Sequence, residues 1–133
     1  MPFLNVKISG GESPDITKQV AEVLSNLTTN ILGKKRELTS IAVEQVADNQ
    51  WFVGGTPISS QGVKTFYLEV KITEGTNSKD EKAAYLKEVF PAMQSILGKL
   101  HPASYIVIMD VSGDSWGFEG ATQEFRYIKG KNM

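Results

Sequence analysis

The amino terminus carries the residue with the most distinctive chemistry in this sequence. Pro2 follows Met1, and we expect removal of Met1 to leave a free secondary amine on the proline ring. An α-amino group titrates near neutral pH, and burial lowers its pKa because it disfavours the charged form. A base of that strength suits proton transfer, and the ring fixes the direction of the lone pair. Pro2 is therefore our candidate general base, the alternative being a proline without a chemical role.

The composition removes most other catalytic chemistries. The sequence contains no cysteine, which excludes thiolate nucleophiles, disulfides and cysteine-based metal sites. His101 is the only histidine, and its place just after the second predicted helix favours a loop residue over a catalyst. We therefore predict an enzyme that uses no metal and no cofactor.

Charge and hydropathy narrow the choice of partner and location. The 133 residues include 14 Lys and Arg and 15 Asp and Glu, which gives a net charge of −1. Without a basic block, nucleic acid is not an expected partner. Lys7 interrupts the apolar amino terminus too early for a signal peptide or a membrane span. We expect a cytoplasmic protein that does not bind membranes.

The chain contains an internal repeat. Residues 3–9 recur as 67–73, and residues 31–34 recur as 96–99, so the offset changes from 64 to 65 in a loop. Two offsets that differ by one loop residue indicate a duplication. We predict a single domain over residues 1–133, made of two units at 2–55 and 65–120 and a short, frayed C-terminal tail from residue 129.

Each unit has the pattern strand, helix, strand. Alternating apolar residues predict the strands, with closing strands at 39–46 and 104–111. Ser13 is typical of a helix start, Ser78 with Glu81 forms a capping box, and Gly33 is typical of a helix end. Two such units predict an α+β fold with a four-stranded mixed sheet and two helices on one face. The other face also carries apolar residues, which favours a homo-oligomer.

A Met-Pro start that runs straight into a strand, in a duplicated strand–helix–strand chain, resembles the tautomerase superfamily. That group includes 4-oxalocrotonate tautomerase, macrophage migration inhibitory factor and malonate semialdehyde decarboxylase. Residues 41–48 and 51–55 look like the second strand and the aromatic-Gly-Gly turn of the first two branches. Residues 115–120 and 123–125 are similar to the C-terminal segment of the decarboxylase branch. The resemblance covers nearly the whole chain.

The resemblance implies a homotrimer with sites at subunit boundaries and a proline that moves a proton between carbon and oxygen of a keto acid. It makes Pro2 the base and Lys34 the ligand of the substrate carboxylate. It also implies that Tyr105 lines the pocket of a neighbouring subunit and that Trp51 lowers the dielectric around the proline. The alternatives are a helix-end charge for Lys34 and packing aromatics for Tyr105 and Trp51.

The sequence departs from the family where substrate is bound. Glu12 and Ala42 occupy the positions of the two arginines that hold a dicarboxylate, and Val107 replaces a pocket asparagine. The chain's only arginines are Arg36 and Arg126. Because guanidinium groups bind carboxylates in pairs of hydrogen bonds, their loss favours a monocarboxylate with an apolar tail, such as phenylpyruvate. Lys64, Arg126 or a side chain of a neighbouring subunit remain alternative ligands.

Three functions follow from this interpretation. The first is a tautomerase, an isomerase that interconverts keto and enol forms through Pro2 and Lys34. The second is a hydratase, dehalogenase or decarboxylase that acts on an unsaturated acid. The third is a trimeric binding protein that has kept the fold without the activity.

Overall fold

The sequence folds into two copies of a strand–helix–strand unit, each followed by a small hairpin. The computed structural model describes residues 2–131. The first copy contains β1 (Phe3–Ser9), α1 (Pro14–Leu32), β2 (Ser40–Val46), β3 (Phe52–Val53) and β4 (Thr56–Pro57). The second copy and the element after it contain β5 (Phe66–Thr73), α2 (Lys79–Leu97), β6 (Tyr105–Val111), β7 (Gly117–Phe118), β8 (Ala121–Thr122) and α3 (Gln123–Lys131).

The four long strands form one mixed sheet in the order β2–β1–β5–β6. Strand β1 pairs in parallel with β2, and β5 pairs in parallel with β6, as expected for strands joined through a helix. The two copies meet at the antiparallel pair β1–β5, where Phe3 lies opposite Lys71. The predicted four-stranded mixed sheet is confirmed. Both closing strands begin one residue later than predicted, at Ser40 and Tyr105.

One core lies between the sheet and the two helices. Every second residue of β1 from Leu4 to Ile8, and of β5 from Phe66 to Ile72, is buried. The buried apolar helix residues of the same cluster are Val20, Leu24, Leu32, Tyr85, Val89 and Met93. Since both helices contribute to the same cluster, they lie on one face of the sheet, as predicted.

The ends of the helices are largely those expected from the sequence. Ser13 begins α1, and its side chain accepts a hydrogen bond from the backbone of Ile16. Ser78 and Glu81 form the predicted capping box at the start of α2. Gly33 ends α1 in the left-handed conformation, with φ 68° and ψ 25°. Gly98 ends α2 differently, with φ 94° and ψ −167°, a conformation that also favours glycine.

The second face of the sheet leaves apolar side chains exposed. Tyr105 is 61% exposed, and Val107, Met109 and Phe3 are between 37% and 40% exposed. They alternate with buried residues in β1 and with partly buried residues in β6, as the period of a strand requires. An exposed apolar sheet face is typical of a surface that binds another protein.

The carboxyl terminus is helical where we predicted a frayed tail. We predicted a frayed tail over residues 129–133, but helix α3 extends from Gln123 to Lys131. The Thr122 hydroxyl begins it by accepting a hydrogen bond from the backbone of Phe125 at 2.9 Å, which is how Thr stabilises a helix start. Residues 132–133 of the predicted tail lie outside the described residues.

Candidate active site

Pro2 lies at one end of the sheet, which we call the Pro2 end. It comprises the starts of β1 and β2 and the ends of β5 and β6. Pro2 is buried, and its carbonyl accepts a hydrogen bond from the backbone of Ser40 at 3.3 Å. Because side chains alternate along a strand, Pro2 lies on the same side of the sheet as the buried Leu4. The proline is therefore on the helix-covered side.

Lys34 lies at the same end. It directly follows Gly33, in the connection that leads from α1 to the first residue of β2. Its Nζ donates a hydrogen bond to Thr76 Oγ1 at 2.8 Å, and that hydroxyl donates to the carbonyl of Thr73 at 2.6 Å. Thr73 is the last residue of β5. The sequence-predicted base and carboxylate ligand thus belong to one region of a single chain.

The charge of Lys34 is set by burial and two carboxylates. Burial lowers the pKa of the half-buried Lys34 ammonium, while Glu81 and Asp110 act in the opposite direction. Asp110 itself forms an ion pair with Lys82. An ammonium group with a reduced water shell binds a carboxylate more strongly than a fully hydrated one. The surroundings of Lys34 therefore suit an anion-binding role.

Trp51 and Tyr105 lie at the opposite end of the sheet, which we call the Phe66 end. Trp51 follows β2 and lines a groove of about 430 Å³ together with Lys7 and Tyr67. Tyr105 is the first residue of β6 and pairs with Tyr67. Lys7 also lies opposite Tyr67, four residues along β1 from Phe3, so the two ends are about 13 Å apart. One chain does not bring all four predicted site residues together.

The residues that replace the family arginines do not form a second anion site. Glu12 and Ala42 are exposed, and Ala42 lies on the uncovered sheet face. Arg36 forms an ion pair with Glu22 of α1. Arg126 lies in α3, with its Cζ atom 4.0 Å from the centroid of the Phe118 ring.

His101 has a structural contact that agrees with its interpretation as a loop residue. Its Nδ1 accepts a hydrogen bond from the backbone of Ala103 at 2.9 Å, within the connection between α2 and β6. Among residues 2–131, no three His, Cys, Asp or Glu side chains are grouped as metal ligands. In the same part of the chain, no helix is both long and apolar enough to cross a membrane.

Sequence reasoning missed Asp110, Lys82 and Thr76. Asp110 continues the inward-facing series of Ile106 and Ile108 in β6. A carboxylate at a position where the alternation of the strand calls for an apolar residue signals a charged partner, here Lys82, although Asp110 itself is exposed. That signal could have been found in the sequence. The contact of Thr76 with Lys34 could not, because the two residues are 42 positions apart.

Several solved structures share this fold at low sequence identity. A fused 4-OT described as an asymmetric trimer has a TM-score of 0.83 and 18% identity, and the match covers 94% of this chain and 98% of that one. Pt0534 inactivated by 2-oxo-3-pentynoate has a TM-score of 0.82 and 13% identity, and the match covers 93% of this chain and 98% of that one. A macrophage migration inhibitory factor-like protein from Entamoeba histolytica has a TM-score of 0.74 and 17% identity, and the match covers 91% of this chain and 97% of that one.

The sequence itself matches a family model. A search of curated proteins found no significant match. The model described as tautomerase enzyme, however, matches residues 2–61 and again residues 67–126, once in each copy of the repeat. Since these two matches together include most of its residues, this chain belongs to the tautomerase family.

Proposed function

We propose that this protein is a cofactor-free tautomerase that interconverts the keto and enol forms of a small 2-keto acid such as phenylpyruvate. The observation that carries the proposal is the burial of Pro2 at the sheet end that also holds Lys34. Burial favours a neutral amine at Pro2 once Met1 is removed. Family membership supports the same reaction class.

The two groups have separate roles in the reaction. The neutral amine of Pro2 takes the proton from the enol oxygen and then returns a proton to the neighbouring carbon, which gives the keto form. The Lys34 ammonium binds the carboxylate and offsets the negative charge that develops on the substrate. A fixed positive group in a partly dry site stabilises such charge better than water does. No redox or covalent step is required.

A homotrimer would complete the site. Trp51 and Tyr105 lie at the Phe66 end, so they reach Pro2 only from a neighbouring copy. The exposed apolar face of the sheet offers a surface through which copies associate. The fused 4-OT with the same fold is described as a trimer. In the assembly, Trp51 would lower the dielectric around the amine and Tyr105 would line the pocket, in a cytoplasmic protein.

The substitution Pro2→Ala tests the role of the amine. It keeps a primary amine but loses the rigid ring, so we expect turnover of phenylpyruvate to fall by about 100-fold or more, the usual contribution of a positioned base. Intact mass must first confirm that Met1 is absent from both proteins. Circular dichroism provides the control for folding, since residue 2 precedes β1.

A covalent probe tests the same atom independently. The inactivation of Pt0534 by 2-oxo-3-pentynoate makes this alkynyl keto acid a suitable reagent, because an amine adds to an alkyne conjugated with a carbonyl. We expect one label per chain, located on Pro2 by peptide mass spectrometry. Equal turnover by wild type and Pro2→Ala, together with no label on residue 2, would refute the amine mechanism. Saturable binding of phenylpyruvate with no turnover would instead favour a binding protein.

A second function has one observation in its favour. Hydration of an unsaturated acid needs a carboxylate that activates water, and Asp110 lies at the Pro2 end. The substitution Asp110→Asn separates the two reactions, because a hydratase would lose water addition while a tautomerase would keep proton transfer. Wild-type protein that hydrates the alkynyl acid faster than it turns over phenylpyruvate would favour this function.

A further inference from the structure

The loop between β5 and α2 is longer by one residue than its repeat counterpart between β1 and α1. The repeat offset is 64 at the ends of the two strands and 65 at the starts of the two helices. Residues 74–77 therefore take the place of residues 10–12, which read Gly-Gly-Glu and contain no hydroxyl. The longer loop contains Thr76, which accepts the hydrogen bond from Lys34 Nζ. It thus gives Lys34 a hydroxyl partner that the shorter loop cannot offer to Lys99, the exposed counterpart of Lys34.

The longer loop is held by hydrogen bonds to β6, β5 and α1. Glu74 donates from its backbone N–H to the carbonyl of the last residue of β6 at 2.8 Å. The backbone N–H of Thr76 donates to the carbonyl of the last residue of β5 at 3.3 Å. Asn77 Nδ2 donates to the carbonyl of Leu32, the last residue of α1, at 2.8 Å. Since Lys34 follows Leu32 closely in the chain, these bonds fix the loop relative to the backbone that carries the lysine.

The hydrogen bond between Lys34 and Thr76 has a fixed direction. The Thr76 hydroxyl donates its proton to the carbonyl of Thr73 at 2.6 Å, so its lone pairs are left to accept from Lys34 Nζ at 2.8 Å. Glu81 and Asp110 have other partners, and among residues 2–131 neither forms an ion pair with Lys34. An ammonium group has three N–H donors, and Thr76 occupies one of them. Two donors therefore remain for a substrate carboxylate.

We propose that Thr76 is a positioning residue whose hydroxyl holds the Lys34 ammonium in the place where it binds the substrate carboxylate. The inference rests on the proposed function, because that function assigns the carboxylate to Lys34. A lysine that is free in solvent loses the conformational freedom of its long side chain when it binds an anion. A lysine that Thr76 already holds loses less, so its affinity for the anion is higher. Thr76 thus acts through Lys34 on substrate binding and leaves the proton transfer at Pro2 unchanged.

The substitution Thr76→Val tests this role, because it removes the hydroxyl and keeps the branched shape. We expect KM for phenylpyruvate to rise by about 3- to 10-fold, the usual contribution of one hydrogen bond, while kcat stays within about twofold. Thr76→Ser keeps the hydroxyl and should restore the wild-type KM. Thr17→Val is the matched control, because its hydroxyl also donates to a backbone carbonyl, that of Ser13 at 3.1 Å, but at the start of α1.

A double variant shows whether Thr76 acts through Lys34. In protein that carries Lys34→Met, the further change Thr76→Val should leave KM as it is, because the two effects are coupled. An unchanged KM in Thr76→Val, a rise that Thr76→Ser does not reverse, or the same rise in the Lys34→Met background would each overturn the proposal. A fall in kcat at constant KM would also overturn it.

Binding measurements separate this proposal from the proposed function. If the wild type does not turn over phenylpyruvate, the proposed function fails by itself. Dissociation constants for phenylpyruvate, measured by tryptophan fluorescence, then decide the role of Thr76. Weaker binding by Thr76→Val that Thr76→Ser restores would support it. Equal affinities of the three proteins, or no binding by any of them, would refute it.

Discussion

The Pro2 end and the Phe66 end of the sheet are related by the internal repeat, yet they offer different chemistry. The offset of 64 places Phe66 at the position of Pro2. Phe66 is buried in the middle of the chain, so its nitrogen is a peptide amide without basicity. Duplication therefore copied the scaffold but produced only one end that can present a free amine. We infer one reactive centre per chain.

A second difference lies in the inward-facing residue near the end of each closing strand. Gln45 of β2 accepts a hydrogen bond from the backbone of Ser13 at 2.8 Å and thereby supports the start of α1. Its repeat counterpart is Asp110, which forms an ion pair with Lys82 and acts on the charge of Lys34. One position thus supports a helix in the first copy and supplies charge in the second.

In the comparison of the two copies, the largest expected effect comes from the two repeat-related lysines. Lys34 is half-buried and bonded to Thr76, whereas Lys99 is exposed. We expect Lys34→Met to lower kcat/KM for phenylpyruvate by about 10- to 100-fold, since it removes a charge-assisted contact with the carboxylate. Lys99→Met is the matched control and should leave turnover unchanged. Equal losses in the two variants would mean that neither lysine binds substrate.

The charge of Lys34 should make substrate affinity depend on pH. Burial lowers the pKa of Lys34, so its ammonium loses a proton at a lower pH than an exposed lysine would. Only the protonated form binds a carboxylate. We therefore expect KM to rise with pH as Lys34 deprotonates, below the pH at which ordinary lysines titrate. The measurement is KM for phenylpyruvate at a series of alkaline pH values.

Two variants check the assignment of this alkaline change. Lys34→Arg should abolish it, because a guanidinium stays protonated throughout the accessible range. Asp110→Asn should move it to lower pH, because that carboxylate favours the charged form of Lys34. An alkaline rise in KM that persists in Lys34→Arg would assign the titration to another group.

The fold could be predicted further than the site, and the reason is physical. Strands and caps depend on local patterns, such as the alternation of Leu4, Val6 and Ile8. These patterns placed the four long strands and the helices α1 and α2 within a few residues. The site depends on which sheet end each residue joins. The antiparallel pairing of β1 with β5 puts Pro2 and Tyr105 at opposite ends, and a long-range pairing leaves no signal in local spacing. Helix α3 was missed because its start depends on the Thr122 hydroxyl rather than on an apolar period.

The smallest expected effects are on stability. They concern one backbone N–H group, that of the serine before each long helix, in the two copies. The backbone N–H of Ser13 donates to Gln45, and that of Ser78 donates to Glu81. Ser13 is half-buried while Ser78 is exposed, so only the second N–H can bond to water instead. Gln45→Ala should therefore lower the free energy of unfolding by about 1–2 kcal/mol, and Glu81→Ala by less, as measured by urea denaturation.

Acid separates these two effects because only one of the side chains titrates. The backbone N–H of Ser78 lowers the pKa of Glu81 in the folded state. Its contribution is therefore fully present above the pKa of an unfolded glutamate and is lost as the pH falls through the lower, folded value. The difference between wild type and Glu81→Ala should vanish at acid pH, whereas that of Gln45→Ala should persist. The opposite outcome would be that both differences in the free energy of unfolding vanish at acid pH. Since the amide of Gln45 does not titrate, that result would mean that its hydrogen bond to Ser13 is not what stabilises the start of α1.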